Sequence, residues 1–130
     1  MDPYQAFKDY QSLQKEVISE IATSMQLTDL EDCDEDELWD NERELESGWV
    51  ITPHGEHLLC VKDHKIRIQI PLYARGFEGI DPGHFREYYQ TKYNENIAYN
   101  VVLNKLDILV VEGKATREEI EGMAVLWRIK

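Results

Sequence analysis

Hydrophobic residues recur every three or four positions over the first 25 residues, the spacing of one face of an α-helix. The residues at these positions are Phe7, Tyr10, Leu13, Val17, Ile21 and Met25. Pro3 suits the first position of a helix, and Asp2 suits its N-cap. The pattern therefore predicts an amphipathic helix over residues 3–25.

Apolar and polar residues alternate between residues 49 and 72, which is the two-residue period of a β-strand. The alternation is clearest at Ile66, Ile68 and Ile70, which we expect on one face, and Pro71 ends the run. Two turn signals, one at a glycine and one at an Asp-His pair, divide the stretch into three. We predict a three-stranded antiparallel meander, which needs helices over its apolar face to be stable.

The helical spacing returns after a glycine-rich loop at residues 73–83. Asp81 followed by Pro82 is a typical helix start. Apolar residues then continue at intervals of three and four, and Asn94 and Asn96 predict a break between two helices.

A further helix is predicted at the C-terminus. Thr116 and Glu119 match a capping box, and Ile120, Met123 and Trp127 would form the inner face of that helix. The order of elements indicates an α+β fold in a single domain of residues 1–130. Its predicted parts are an N-terminal helix, a three-stranded antiparallel sheet, and two to three C-terminal helices packed on one sheet face.

The charge of the chain is concentrated in one region. The 130 residues include 26 acidic and 14 basic side chains, a net charge of −12. Residues 1–46 hold 15 acidic and 3 basic residues, whereas the remainder holds 11 of each. Within residues 29–46, which we call the acidic segment, 11 acidic residues are offset only by Arg43. The excess charge therefore belongs to this segment rather than to the whole surface.

Apolar residues interrupt the acidic segment, so we expect one side of it to pack and the other to be exposed. They are Leu30, Leu38, Trp39 and Leu45, with Leu27 just before the segment. Asp34 could cap a short helix that runs toward Ser47 and Gly48. The alternative is a strand that extends back from Trp49 through Arg43. We favour the helix.

Carboxylates three and four positions apart on a helix repel each other by a few tenths of a kcal/mol per pair. A cationic partner surface, a bound metal ion or a gain in solubility could offset this cost. The leading hypothesis is a non-enzymatic cytoplasmic binding protein that presents an acidic patch to a basic protein surface. Its sharpest version is an inhibitor or nucleic-acid mimic that acts on a nucleic-acid-binding protein. The candidate partner-binding residues are Asp29, Asp32, Asp34, Asp36, Glu37, Trp39, Asp40 and Glu44.

A calcium loop is a specific version of the metal hypothesis. Four aspartates of the acidic segment fall in the register of an EF-hand loop: Asp32, Asp34, Asp36 and Asp40. However, Glu37 occupies the position that requires glycine, and Arg43 the position that requires a bidentate glutamate. The sequence therefore does not favour calcium, and we predict no cofactor.

A second metal candidate comprises His54, His57, Cys60 and His64. Zinc binds four such ligands in a tetrahedral arrangement, and hairpin turns can present them. The odd spacing of His57 and Cys60 points them to opposite faces of a strand, and we expect Cys60 in the core. A small zinc-binding enzyme or sensor is therefore an alternative function. Another is a homo-oligomeric assembly factor, with associating C-terminal helices and a merely solubilising acidic face.

Arg75, His84 and Arg86 surround the glycine-rich loop and could hold a phosphate or carboxylate at the helix start. The glycine spacing matches neither a Walker nor a dinucleotide motif, so exposed arginines paired with nearby acids are the favoured interpretation. Tyrosines follow at 88, 89, 93 and 99, and their helical spacing favours core packing over base stacking.

Composition bounds the remaining possibilities. An isoelectric point near 4.7 argues against direct binding of nucleic acid through its phosphates. No apolar run approaches the roughly 18 residues of a membrane span, and the first 25 residues lack the pattern of a signal peptide. Two cysteines cannot form a disulfide framework, so we expect a cytoplasmic protein without a membrane association.

Overall fold

The computed structural model describes residues 3–30, 33, 37–38 and 41–130. Its helices are α1 (Pro3–Ser24), α2 (Pro82–Tyr93) and α3 (Tyr99–Val111). Its strands are β1 (Arg43–Glu44), β2 (Val50–His54), β3 (His57–Lys62), β4 (Lys65–Pro71), β5 (Ala115–Ile120) and β6 (Ala124–Ile129). The α+β class is confirmed.

The N-terminal helix α1 confirms the prediction from its apolar spacing. Phe7, Tyr10, Val17 and Ile21 are buried along one face, because residues three and four apart share a side of the helix. The predicted N-cap, Asp2, lies outside the described residues. The helix packs against β4, β6, α2 and α3, and so contacts most parts of the core.

The predicted meander is confirmed as β2, β3 and β4, all antiparallel. The three-stranded sheet is incomplete, however, because β1 pairs with β2 and makes the sheet four-stranded in the order β1-β2-β3-β4. The register between β3 and β4 shifts at Cys60 and Val61. Ile68 and Ile70 are buried as expected, but beyond the shift Ile66 is 43% exposed. The buried face of β4 therefore includes Ile68 and Ile70 but not Ile66.

The start of α2 and the break before α3 are confirmed. The Asp81 carboxylate accepts hydrogen bonds from the backbone N–H groups of Gly83, at 2.8 Å, and His84, at 3.4 Å. This is an N-cap that satisfies otherwise unpaired helix donors. At the other end, Asn94 adopts a left-handed conformation (φ 52°) and ends the helix.

The predicted C-terminal helix is wrong, because β5 and β6 form an antiparallel hairpin there. Gly122, at φ 75°, lies in the three-residue loop between Ile120 and Ala124, a typical position for a left-handed glycine. The outer edge of β6 also pairs with Ile80, whose N–H donates to the Trp127 carbonyl at 2.8 Å. Only two α-helices therefore follow the four-stranded sheet within the described residues.

Two buried glutamines of α1 attach the helix to other parts of the fold. The Gln11 amide donates to the Ile129 carbonyl and accepts from the Ile129 N–H, both at 2.8 Å. Gln14 donates to the carbonyls of Gln69 and Gly79 and accepts from the Gly79 N–H, all at 3.0 Å. These contacts satisfy backbone groups that would otherwise be buried without partners.

Candidate interaction surface

The described part of the acidic segment is anchored by leucines. Leu30, Leu38 and Leu45 are all buried in the core cluster. The Leu45 N–H also donates to the Trp49 carbonyl at 2.8 Å, which closes the turn between β1 and β2. At these residues the expectation that one side packs and the other is exposed is confirmed.

The backbone of the segment differs from the helix that we favoured. Arg43 and Glu44 form β1, which pairs with Ile51 and Val50 of β2. A turn separates β1 from β2, so the strand does not continue directly from Trp49 either. Sheet pairing overrides the helical signal because β2 offers an unpaired edge to the segment. The described Glu37 and Leu38 are helical, whereas the expected cap Asp34 lies outside the described residues.

Four glutamates of the segment remain exposed: Glu37, Glu42, Glu44 and Glu46. Within the described part of the chain, none of them takes part in an ion pair. Glu42 accepts a hydrogen bond from the Thr52 hydroxyl at 3.2 Å. The segment therefore carries fixed negative charge on its outer side without intramolecular neutralisation at these residues.

A groove of about 410 Å³ lies between the C-terminal part of α1 and β1. Its lining includes three carboxylates, those of Glu20, Glu44 and Glu46, together with small hydroxyl side chains of α1. One carboxylate oxygen of Glu20 is buried and has no hydrogen-bond partner among the described residues. A buried unpartnered carboxylate oxygen is unfavourable, so this groove would gain stability from a cationic group. Sequence reasoning missed Glu20, whose only signal is its place on the polar face of α1.

The predicted partner-binding residues are only partly described. Asp29, Glu37 and Glu44 are exposed, as a binding role requires. The others lie outside the described residues: Asp32, Asp34, Asp36, Trp39 and Asp40. The four aspartates that match the register of a calcium loop, Asp32, Asp34, Asp36 and Asp40, are all among these positions.

The structure does not bring the four predicted zinc ligands together. His54 and His64 are exposed, whereas Cys60 is fully buried, and burial raises the pKa of its thiol. Among the described residues, no three His, Cys, Asp or Glu side chains are grouped to hold a metal ion. The expectation that Cys60 is a core residue is confirmed.

His57 instead forms a small aromatic cluster that the sequence did not indicate. Its ring contacts those of His84, at 4.3 Å between centroids, and Tyr73, at 5.3 Å. Its Nε2 lies 3.2 Å from the Tyr73 hydroxyl. Burial, and next the charge of His84, lower the pKa of His57, while burial raises that of Tyr73 to about 12. The lowered pKa disfavours a charged His57 imidazole, and the raised pKa favours a neutral Tyr73 phenol.

The anion site considered as an alternative around the glycine-rich loop is not assembled. The Asp81 carboxylate occupies the backbone donors at the start of α2. Arg75 lies 4.0 Å from the Glu118 carboxylate, and Arg86 donates to the Ile97 carbonyl at 2.8 Å. The favoured interpretation of exposed arginines paired with nearby acids therefore holds for Arg75, whereas the contact of Arg86 is with a backbone carbonyl.

The tyrosines are mainly core residues. Tyr88 and Tyr89 are buried, and their rings pack with Phe85 at centroid distances of 6.0 and 5.9 Å. Tyr93 is partly buried against the same cluster, whereas Tyr99 is about half exposed. The expectation of core packing is confirmed for all but Tyr99.

Comparisons with known proteins add no relatives. No protein family model matches the chain, and the comparisons with curated proteins and with solved structures give no match either. None of the helices in the described residues is long and apolar enough to cross a membrane. The geometry and charge of the surface are therefore the basis for a functional proposal.

Proposed function

We propose that this chain is a non-enzymatic binding protein whose acidic segment engages a basic surface of a partner protein. The observation that carries the proposal is the fixed, unneutralised charge of the segment's exposed glutamates beside buried leucine anchors. Charges that are already fixed on a folded body lose less conformational entropy on binding than those of a flexible tail. A partner's lysines or arginines would supply the missing counter-charge.

The groove beside β1 extends this acidic surface onto α1. Glu20, Glu44 and Glu46 line it together, and the unpartnered oxygen of Glu20 could accept a charge-assisted hydrogen bond from an inserted lysine or arginine. Electrostatic complementarity of this kind speeds association and makes it sensitive to salt. The partner class is a basic protein surface, such as that of a nucleic-acid-binding protein in the cytoplasm, on which this chain would act as an inhibitor.

Charge reversal with a matched control tests the proposal. The test variant replaces Glu37, Glu42, Glu44 and Glu46 with lysine. The control variant carries the same net charge, because four exposed acidic residues elsewhere are replaced with lysine: Glu56, Glu95, Asp107 and Glu121. Partners are captured from lysate of the native host, identified, purified and titrated against all three proteins.

We expect the test variant to bind a purified partner at least about tenfold more weakly than the control variant, because close ion pairs contribute more than net charge. The wild-type affinity should also fall steeply with salt. Equal affinities of the two variants, or a lack of any partner with a basic surface, would contradict the proposal. Circular dichroism of both variants establishes that they are folded.

A specific observation favours the homo-oligomer as a second candidate. Helix α3 exposes Val101, Ile108 and Val111 to 48, 49 and 88%, and their spacings of seven and three place them along one side. Light scattering at about 50 and 500 mM salt, a roughly threefold span in Debye length, tests association through this face. An apolar dimer should persist at both concentrations and dissociate in Ile108→Lys. A wild-type monomer under both conditions excludes it.

A further inference from the structure

A second cavity, distinct from the acidic groove, lies where α1, α2 and the sheet meet. Its volume is about 250 Å³, and most of the surface that lines it is apolar. Leu13 of α1, Tyr88 of α2 and Trp49, which precedes β2, contribute apolar and aromatic lining. A cavity of about 150 Å³ with an apolar lining is large enough for benzene. This cavity therefore has room for an aromatic ring and a small polar substituent.

The rim of the cavity is basic, although the chain as a whole is strongly acidic. Lys62, Arg67 and Lys92 line it, and Asp63 is the one carboxylate among the described residues of the lining. Arg67 lies 3.7 Å from Asp63, and Lys92 lies 3.9 Å from Asp9 outside the lining. Lys62 has no carboxylate partner among the described residues. The local excess of positive charge would attract an anion despite the net charge of −12.

The cations already lie against aromatic rings. The Lys62 ammonium is 5.2 Å from the centre of the Trp49 ring, and the Lys92 ammonium is 5.5 Å from that of Tyr88. Lys92 also donates to the Tyr88 hydroxyl at 3.0 Å. Each amine is thereby held at the edge of the apolar lining, where it can reach an anionic group whose ring enters the cavity.

We infer that this cavity binds a small aromatic carboxylate. The ring packs on Leu13 and the edges of Trp49 and Tyr88, and the carboxylate accepts hydrogen bonds from Lys62 and Arg67. The lining assigns a place to each part of the ligand. The apolar part carries no charge and suits the ring, whereas Lys62 has no carboxylate partner among the described residues and suits the carboxylate. This binding function is independent of the acidic surface.

Isothermal titration with 2-naphthoate tests the assignment. Two analogues separate the contributions: 2-naphthalenemethanol keeps the rings without the charge, and cyclohexanecarboxylate keeps the charge without the aromatic ring. Lys62→Gln removes the charge that has no carboxylate partner, and Lys65→Gln is the matched control. Lys65 is the cross-strand neighbour of Lys62 and is exposed, but it does not line the cavity.

We expect wild type and Lys65→Gln to bind 2-naphthoate with equal affinity, and Lys62→Gln to bind about tenfold more weakly, as for the loss of one charged hydrogen bond. Both analogues should bind more weakly than 2-naphthoate. Thr91→Phe, which fills the cavity from α2, should abolish binding without unfolding the protein. No binding to wild type at millimolar concentration, equal binding of the alcohol, or equal loss in both lysine variants would overturn the inference. If Thr91→Phe fails to fold, the lysine pair still decides.

Discussion

The acidic segment and the C-terminal hairpin both pack on the core, but they differ in how far their charged side chains are paired. In the hairpin, Glu118 pairs with Arg128 and with Arg75, and Arg117 lies 3.2 Å from the Glu119 carboxylate. The exposed glutamates of the acidic segment have no such partners among the described residues. Of the charged residues from Ala115 to Ile129, only Glu121 lacks an ion pair among the described residues, whereas the exposed glutamates of the segment leave their charge available to another molecule.

The two regions also differ in how they are anchored. The hairpin is held by directional contacts, because Ile80 pairs with Trp127 and Gln11 binds both backbone groups of Ile129. The segment is held by buried leucines, which pack without strict geometry, and by the two-residue pairing of β1 with β2. This attachment suits the segment to present its exposed glutamates to a partner.

Truncation of Leu126 should give the largest loss in the free energy of unfolding, because this side chain is fully buried where the hairpin meets Gly79. A Cβ atom on Gly79 would lie 2.8 Å from the Leu126 Cδ1. Leu126→Ala should lower the free energy of unfolding by about 3 kcal/mol, and Gly79→Ala by about 2 kcal/mol through overpacking. Urea denaturation should show that the double variant loses less than the sum, since the Cδ1 is gone. Strict additivity would show that the two residues do not compete for space.

Substitution of Gln11 should give the next largest loss in the free energy of unfolding. Gln11→Met keeps the length of the side chain but leaves the buried N–H and carbonyl of Ile129 without partners. We expect a loss of roughly 2 kcal/mol in the free energy of unfolding. Gln5→Met is the control, because Gln5 makes an exposed hydrogen bond to Asp9 and should change stability little. Equal losses in the two variants would show that the hairpin does not depend on this directional contact.

The sequence predicted well the elements whose local pattern and tertiary packing agree. The helix from Pro3, the alternating strands of residues 49–72 and the Asp81 cap all carry local signals that the core reinforces. The same agreement explains why Asn94 was correctly identified as the end of α2.

The errors arise where long-range pairing decides the backbone. The spacing of Thr116 and Glu119 fits a helix. However, Trp127 pairs with Ile80, and Ile129 binds Gln11 of α1, which lies more than a hundred positions before it. Likewise, the edge of β2 selects a strand at Arg43. No local spacing encodes these partners. For the same reason the sequence could not show that Glu20 joins Glu44 and Glu46 in one groove, or that His84 contacts His57.

The contrast between paired and unpaired charge predicts stability effects of opposite sign. Glu118→Gln removes the partner of Arg128 and should lower the free energy of unfolding by about 0.5 kcal/mol. Glu44→Gln combined with Glu46→Gln relieves repulsion and should raise it slightly, by less than about 0.5 kcal/mol. Thermal unfolding at low and high salt measures both, and both effects should shrink with salt. A loss of stability in the Glu44 and Glu46 variant would show that these carboxylates have partners within the fold.

Protonation of His57 should give the smallest change in stability. It also sets the pH range in which the charges of the acidic segment and of the hairpin can be compared. Burial and the neighbouring His84 lower the pKa of His57 in the folded state, against the opposing influence of Asp81. The unfolded chain therefore takes up a proton near pH 6.5 while the folded protein does not. Stability from the neutral imidazole is complete above that pH and is lost as the pH falls toward the lower folded-state pKa.

His57→Gln should therefore flatten the dependence of the melting temperature on pH below about 6.5, where the imidazole of the unfolded chain takes up its proton before that of the folded protein. His64→Gln serves as the control, because it also removes one imidazole, but from an exposed position in the turn between β3 and β4. The NMR titration of the His57 ring protons should give a midpoint below that of an ordinary histidine. A midpoint above about 6.5 would reverse the sign and show that Asp81 dominates the cluster. Above pH 7 the protonation of His57 no longer contributes, so the charge variants of the segment and the hairpin are best compared there.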